Sequence, residues 1–113
     1  MLNDSSQLDR AFAALADPVR RGMLARLSRG PASVSELAAP LPMSLPAVMQ
    51  HLKALEASGL VASRKKGRVR TVHLEREALS QAETWLTRRR QELEAQLDRF
   101  EDYLATLQND GGN

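Results

Sequence analysis

The sequence predicts a mainly α-helical fold with one small β-hairpin, and three observations support this prediction. Apolar residues recur at helical spacing in the segment 44–59, which begins with a serine and ends with a glycine. The segment 61–74 contains two strand-like runs on either side of Gly67. The segment 76–108 contains no proline or glycine and carries leucine or phenylalanine at intervals of seven residues, which is typical of a long helix.

Length and composition predict a single domain. The chain has 113 residues, of which 42% are hydrophobic, so we expect one domain over residues 1–113, with a core at 7–74 and a long helix at 76–108. It has no run near the roughly 18 apolar residues of a membrane helix and no signal-peptide pattern at its start, so we expect a cytoplasmic protein that no membrane holds. The absence of cysteine excludes disulfides, thiolate metal sites and a cysteine nucleophile.

Charge is separated along the chain although the net charge is only +2. Residues 61–74 contain five basic residues and no acid, whereas residues 92–110 contain six acids and the single basic Arg99. This separation indicates one face that binds a polyanion and another that stays away from it.

Three helices are predicted before residue 44, and residues 1–6 and 109–113 are expected to be disordered. The first helix covers 7–16. Asp17 caps the second helix, which begins at Pro18. Ser33 caps a short third helix, and Glu36 completes a capping box. Four arginines are predicted to cover the outer face of the second helix: Arg20, Arg21, Arg26 and Arg29.

The helix that begins at Ser44 follows a turn with two prolines, so the two helices form a helix-turn-helix. Its predicted buried stripe is Leu45, Val48, Met49, Leu52 and Leu55. The remaining face is short and unusually free of acid, and it presents Ala47, Gln50, His51, Lys53 and Ala54. Small, amide and basic side chains are those that a helix needs in the major groove of DNA. On this helix alone, an ordinary amphipathic helix is an equal alternative.

The hairpin predicted after this helix has strands at 60–64 and 69–74 and a turn at 65–68. A basic hairpin directly after a helix-turn-helix predicts the wing of a winged helix. The alternative is a solvated basic loop.

The long helix is predicted to mediate dimerisation. Its heptad stripe contains Leu79, Leu86, Leu93, Leu97, Phe100, Leu104 and Leu107. About 30 helical residues span about 45 Å, which exceeds what a small core needs. A second copy of the chain is the simplest partner, and a different protein or the chain's own core are the alternatives. The Arg88–Arg90 run could be a solvated face, a phosphate contact or a partner for acids of the other chain.

Several stretches resemble the ArsR family of winged-helix transcription regulators, over about residues 12–74. They are Ala-Leu-Ala-Asp-Pro-Val-Arg at 14–20, Val-Ser-Glu-Leu-Ala at 34–38, and Ser-Leu-Pro-Ala-Val-Met-Gln-His-Leu at 44–52, followed by Gly-Leu-Val at 59–61. The resemblance implies a dimeric DNA-binding repressor. Such a repressor pairs through its first and last helices, places the fourth helix in the major groove and lays the wing along the backbone.

Residue roles follow from these patterns and from the resemblance. DNA contacts are predicted at Ser33, Ser44, Ala47, Gln50, His51, Lys53, Arg64, Lys65, Lys66, Arg68 and Arg70. Dimer contacts are predicted at Leu8, Phe12, Trp85, Leu86, Leu93, Leu97, Phe100 and Leu104. For His51, a packing or phosphate-binding role is as well supported as a base contact. Met49 stands where many family members have a serine.

Metal sensing is not expected, because metal sensors of the family carry paired cysteines where this chain has residues 33–35. The histidines His51 and His73 lack further nitrogen or sulfur ligands for a zinc-type site. We therefore expect no metal and no cofactor, and the inducer stays unknown.

The sequence thus predicts a winged helix-turn-helix with a long C-terminal dimerisation helix. Its predicted function is that of a homodimeric, sequence-specific DNA-binding regulator, a repressor, that reads a near-palindromic operator in double-stranded DNA. The alternative function is that of a dimeric protein-interaction module without specific DNA binding. An enzyme is not expected, because the sequence contains no glycine-rich phosphate loop and no histidine–carboxylate pair at motif spacing.

Overall fold

A computed structural model describes residues 4–111 and consists of five α-helices and three short β-strands in that part of the chain. The helices are α1 (Asp4–Leu15), α2 (Pro18–Leu27), α3 (Val34–Ala38), α4 (Leu45–Ala57) and α5 (Arg76–Gly111). The strands are β1 (Ala32–Ser33), β2 (Val61–Lys66) and β3 (Val69–Leu74).

The sheet has three antiparallel strands in the order β1-β3-β2. The predicted hairpin accounts for β2 and β3, so β1 is an additional strand. Strand β1 pairs Ala32 with Val72 and Ser33 with Thr71, directly before α3. A two-residue strand has no periodicity of its own, so only its tertiary pairing reveals it. The pairing ties the start of the helix-turn-helix to the hairpin.

The predicted helix caps are confirmed. Asp17 accepts a hydrogen bond from the backbone N–H of Arg20 at 3.0 Å. Ser33 and Glu36 form the reciprocal capping box, at 3.1 Å and 3.2 Å. Ser44 caps α4, and Gly59 follows α4 with a φ of +79°, where a residue with a Cβ would be strained.

The core lies where α4 crosses the sheet and the first two helices. Val48, Leu52 and Leu55 of α4 are fully or nearly fully buried. Leu45 is 58% exposed, so its predicted burial is wrong. Leu45 is the first residue of α4. Hydrophobic spacing predicts burial only where a neighbouring element covers the helix, and Leu45 is not covered in this way.

Two helices are longer than predicted. Helix α1 starts at Asp4, so the prediction that residues 4–6 are disordered is wrong. The same prediction for residues 1–3 lies outside the described residues. Helix α5 continues to Gly111 instead of ending at residue 108, and residues 112–113 likewise lie outside the description.

The chain divides into two compact units, one that reaches Ala82 and one that starts at Glu83. In the first unit, the α5 residues Ala78 and Ala82 are buried. The second unit is the remainder of α5, whose apolar side chains are largely exposed: Trp85, Leu86, Leu93, Leu97, Phe100, Tyr103, Leu104 and Leu107. Within residues 4–111, no helix has the length and apolar character needed to cross a membrane.

Candidate nucleic-acid interface

The exposed face of α4 presents the polar side chains predicted to read DNA. Gln50 and Lys53 are exposed, and Ala47 is half-buried at the edge of the face. The hydroxyl of the exposed Ser44 accepts the backbone N–H of Ala47 at 3.3 Å, so its own O–H stays available as a donor. A cap that can also donate to a phosphate therefore stands at the N-terminal end of the helix.

The fourth predicted reading residue, His51, is placed differently. Its Nδ1 lies 3.4 Å from a terminal nitrogen of Arg20 and 3.7 Å from a carboxylate oxygen of Asp17. The side chain is only 22% exposed. The ring therefore lies against the start of α2, and this geometry favours the packing alternative over a base contact.

Arg20 joins α1, α2 and α4, so its predicted place on an outer face is wrong. Its Nε donates to the carbonyl of Ala14 at 2.8 Å, and a terminal nitrogen donates to the carbonyl of Ala13 at 3.0 Å. These carbonyls are at the C-terminal end of α1, where positive charge is favoured. The side chain thereby ties α1 to the helix that carries Gln50.

Asp17 completes this cluster at the α2 cap. The backbone N–H of Arg20 is the main cause that holds the pKa of the Asp17 carboxyl below its ordinary value. Burial opposes this effect in part, and the nearby charges of His51 and Arg20 make smaller contributions that lower the pKa. Asp17 therefore stays ionised at neutral pH and stabilises the cap.

The hairpin carries its cations beyond the core. One face of the hairpin has the buried Val61 and Val72 near its base. The same face has the exposed Lys65 and Arg70 nearer its tip. Lys65 and Arg70 are directly opposite each other in the register. Like charges in opposite positions destabilise a sheet, so this pair costs stability unless a polyanion lies against it. Arg64, Lys66 and Arg68 are also exposed.

Arg70 is fixed by a short hydrogen-bond chain. One of its terminal nitrogens donates to the hydroxyl of Ser63 at 2.9 Å, and Ser63 donates to the Glu56 carboxylate at 2.8 Å. Glu56 is on α4, so the chain connects the hairpin to the helix. No acidic side chain of residues 6–109 forms an ion pair with the other four hairpin cations.

The hairpin turn has two residues, because Lys66 pairs with Val69. Gly67 has a φ of +63°, and Arg68 has an ordinary negative φ. Glycine at the first of two turn positions is typical of a type II′ turn, which matches the twist of the strands. The turn is two residues shorter than predicted, and it holds Arg68 at the tip.

A cleft that the sequence did not reveal separates the first turn of α4 from the hairpin. It has a volume of about 330 Å³, and its apolar lining residues include Leu45, Met49 and Val69. Leu45 is 58% and Val69 54% exposed. Cationic side chains line it too, and Ser33, a helix cap and predicted DNA contact, is also at its wall.

The structure gives no metal cluster among the residues it describes. No group of three or more histidine, aspartate or glutamate side chains in residues 6–109 is arranged to hold a metal ion. His73 instead contacts Glu75 at 2.8 Å.

The predicted dimer positions divide between two helices. Leu8 and Phe12 of α1 are half-buried. The other six are on α5 and are all 40% exposed or more: Trp85, Leu86, Leu93, Leu97, Phe100 and Leu104. Arg89 lies over the Trp85 ring, 4.9 Å from its centroid, and pairs with Glu92 at 2.9 Å. This part of Arg88–Arg90 is therefore engaged within its own helix.

Comparisons with known proteins agree with this architecture. A family described as "Helix-turn-helix domain" matches residues 15–64. The HTH-type transcriptional regulator Rv2034 of Mycobacterium tuberculosis is 48% identical over 80 residues, which are 71% of this chain and 75% of that protein.

Solved structures give the same result. The ArsR family transcriptional regulator RHA00566 has a TM-score of 0.77 and 49% identity, over 83% of this chain and 97% of that one. A homodimeric winged helix-turn-helix DNA-binding domain from Mycobacterium bovis has a TM-score of 0.62 and 27% identity, over 76% and 86% of the two chains. The chain belongs to the ArsR family of winged helix-turn-helix transcriptional regulators, a DNA-binding and not an enzymatic family.

Proposed function

We propose that this regulator acts as a homodimeric repressor that reads a near-palindromic operator, with α4 in the major groove and the β2–β3 hairpin on the backbone. The observation that carries the proposal is the pairing of two surfaces. The exposed face of α4 offers Gln50 and Lys53, and the adjacent hairpin offers cations that have no acidic partner among the described residues. A helix in the groove supplies sequence specificity, and cations on the phosphates supply affinity.

Gln50 is the residue we assign to base reading. Its amide can bind adenine in a bidentate manner, and it stands near the middle of the exposed face. His51 is assigned to positioning, because its ring is held between Asp17 and Arg20. Phosphate contacts are assigned to the two caps and to the basic side chains: Ser33, Ser44, Lys53, Arg64, Lys65, Lys66, Arg68 and Arg70.

Dimerisation is assigned to α1 and α5. The heptad residues of α5 between Leu86 and Leu107 are about half exposed, and a second copy would remove that apolar surface from water. The homodimeric state of the related Mycobacterium bovis domain supports the same assignment. A dimer on two half-sites covers promoter DNA and thereby blocks other proteins, which is the simplest route to repression. The place of action is then the compartment of the chromosome, which is the cytoplasm in bacteria.

The base-reading role is tested with Gln50→Ala, against Gln91→Ala on exposed α5 as the control. A lost bidentate contact costs about 1–3 kcal/mol of discrimination per half-site, so Gln50→Ala should lose preference at one base step while its salt dependence stays unchanged. The measurement is competition binding to operator variants with each base changed in turn. An equal loss on every sequence would contradict base reading.

The alternative function is protein interaction without specific DNA binding. Affinity for a generic polyanion distinguishes it from the proposed repressor function. We expect a triple variant, Lys65→Ala, Lys66→Ala and Arg68→Ala, to elute from heparin at much lower salt than the unaltered chain. Unchanged elution would favour the protein-interaction module.

A further inference from the structure

The exposed Leu45 is at the N-terminal end of α4. In helix-turn-helix proteins, the N-terminal residues of the recognition helix contact the base edges. Leu45 is the first residue of α4, directly after the cap Ser44. With 58% of its surface exposed, it cannot be explained by the core of its own chain.

The surroundings of Leu45 combine apolar walls with positive charge. Val69 of the hairpin, 54% exposed, lines the same cleft. Lys65, Arg68 and Arg70 also line it, and none of its lining residues is acidic. A cleft that combines apolar and cationic side chains fits a polyanion that carries an apolar group.

DNA has one such group in the major groove. The C5-methyl of thymine is the one alkyl group that the four bases present there, where cytosine has only a C5–H, and the amino, carbonyl and N7 groups donate or accept hydrogen bonds. A leucine side chain neither donates nor accepts, so it cannot pair with those other groups. Leucine gains most free energy against the methyl, because that contact removes the largest apolar surface from water.

We propose that Leu45 contacts the C5-methyl of a thymine in each half-site of the operator, so that the operator carries a T·A pair at this position. This inference rests on the proposed function, since it requires α4 in the major groove. It adds a specificity residue that the predicted set lacks, because helical spacing places Leu45 among the buried residues.

The test uses an operator obtained by selection from random DNA, in which each thymine is replaced in turn by deoxyuridine. Deoxyuridine keeps the pairing and lacks only the methyl group. Loss of one buried methyl is expected to weaken binding about fourfold per half-site, and about fifteenfold when both half-sites are changed. Leu45→Ala should bind the thymine and deoxyuridine operators equally well.

Gln50→Ala is the control, because it should weaken binding yet keep the preference for thymine at the Leu45 position. Circular dichroism melting of Leu45→Ala checks that the fold is intact, which an exposed position predicts. A selected operator that tolerates deoxyuridine everywhere would overturn this inference alone, as would a Leu45→Ala variant that keeps the full thymine preference. The absence of any selected sequence would instead overturn the proposed function, and this inference with it.

Discussion

Neutralising two cations of the hairpin should reduce the salt dependence of DNA binding by a predictable amount. Lys65 and Lys66 are exposed on strand β2, and neither has an acidic partner in the described part of the chain. In a dimer, Lys65→Gln with Lys66→Gln removes four positive charges. Each phosphate contact contributes about 0.9 to the slope of log affinity against log salt, so the slope should fall by up to about 3.6.

The assay is fluorescence anisotropy with labelled operator between 50 and 200 mM salt. Over this fourfold range, a slope difference of about 3.6 means that the unaltered protein loses about 150-fold more affinity than the variant. The control is Arg99→Gln, an exposed cation off the leucine stripe of α5 and outside the set of predicted DNA contacts, and its slope should not change. An unchanged slope in the lysine variant, or an equal fall in the control, would refute the assignment of the hairpin to the backbone.

Three further predictions follow from burial and charge. Leu93→Glu with Leu97→Glu should convert the dimer to a monomer by light scattering and abolish operator binding, because both leucines are about half exposed on the α5 stripe. Leu52→Ala should lower the free energy of unfolding by about 2–5 kcal/mol in urea titrations, since Leu52 is 2% exposed. Asp17→Asn should make the melting temperature fall less on acidification from about pH 5 to pH 3, since the lowered pKa of Asp17 means that its stabilisation is lost as pH falls.

Matched variants sharpen these three tests. Gln91→Glu with Ala95→Glu adds the same charge to α5 away from the stripe and should remain dimeric, so a monomer here would mean that charge alone splits the dimer. Leu45→Ala, on the same helix as Leu52 but exposed, should change stability by less than about 0.5 kcal/mol. Asparagine still caps a helix but carries no charge, so an Asp17→Asn protein whose melting temperature falls as steeply on acidification as that of the unaltered protein would contradict the ionisation argument.

Features that depend on neighbours in sequence were predictable. The caps at Asp17, Ser33 and Ser44 each depend on a backbone N–H three residues away, so the local pattern was sufficient. The hairpin was predicted because Gly67 and the flanking β-branched residues are adjacent. Its turn was placed two residues too wide, since strand length depends on pairing that local propensity does not include.

Features that depend on distant contacts were not predictable. Arg20 and His51 are 31 residues apart in sequence. Because they contact each other, Arg20 is not on an outer face and His51 packs against α2. The predicted burial of Leu45 was wrong because hydrophobic periodicity assumes that another element packs against every turn of the helix. The same exposure produced the best evidence for a specificity residue, which shows why the candidate site could be only partly anticipated.

The most direct measurement of the central claim is selection of bound fragments from random DNA by the purified protein, followed by base-pair footprinting. Two α4 helices related by a two-fold axis should select two inverted half-sites whose centres are about 10–10.5 base pairs apart. No enriched sequence, or a single asymmetric site protected by one chain, would contradict the account.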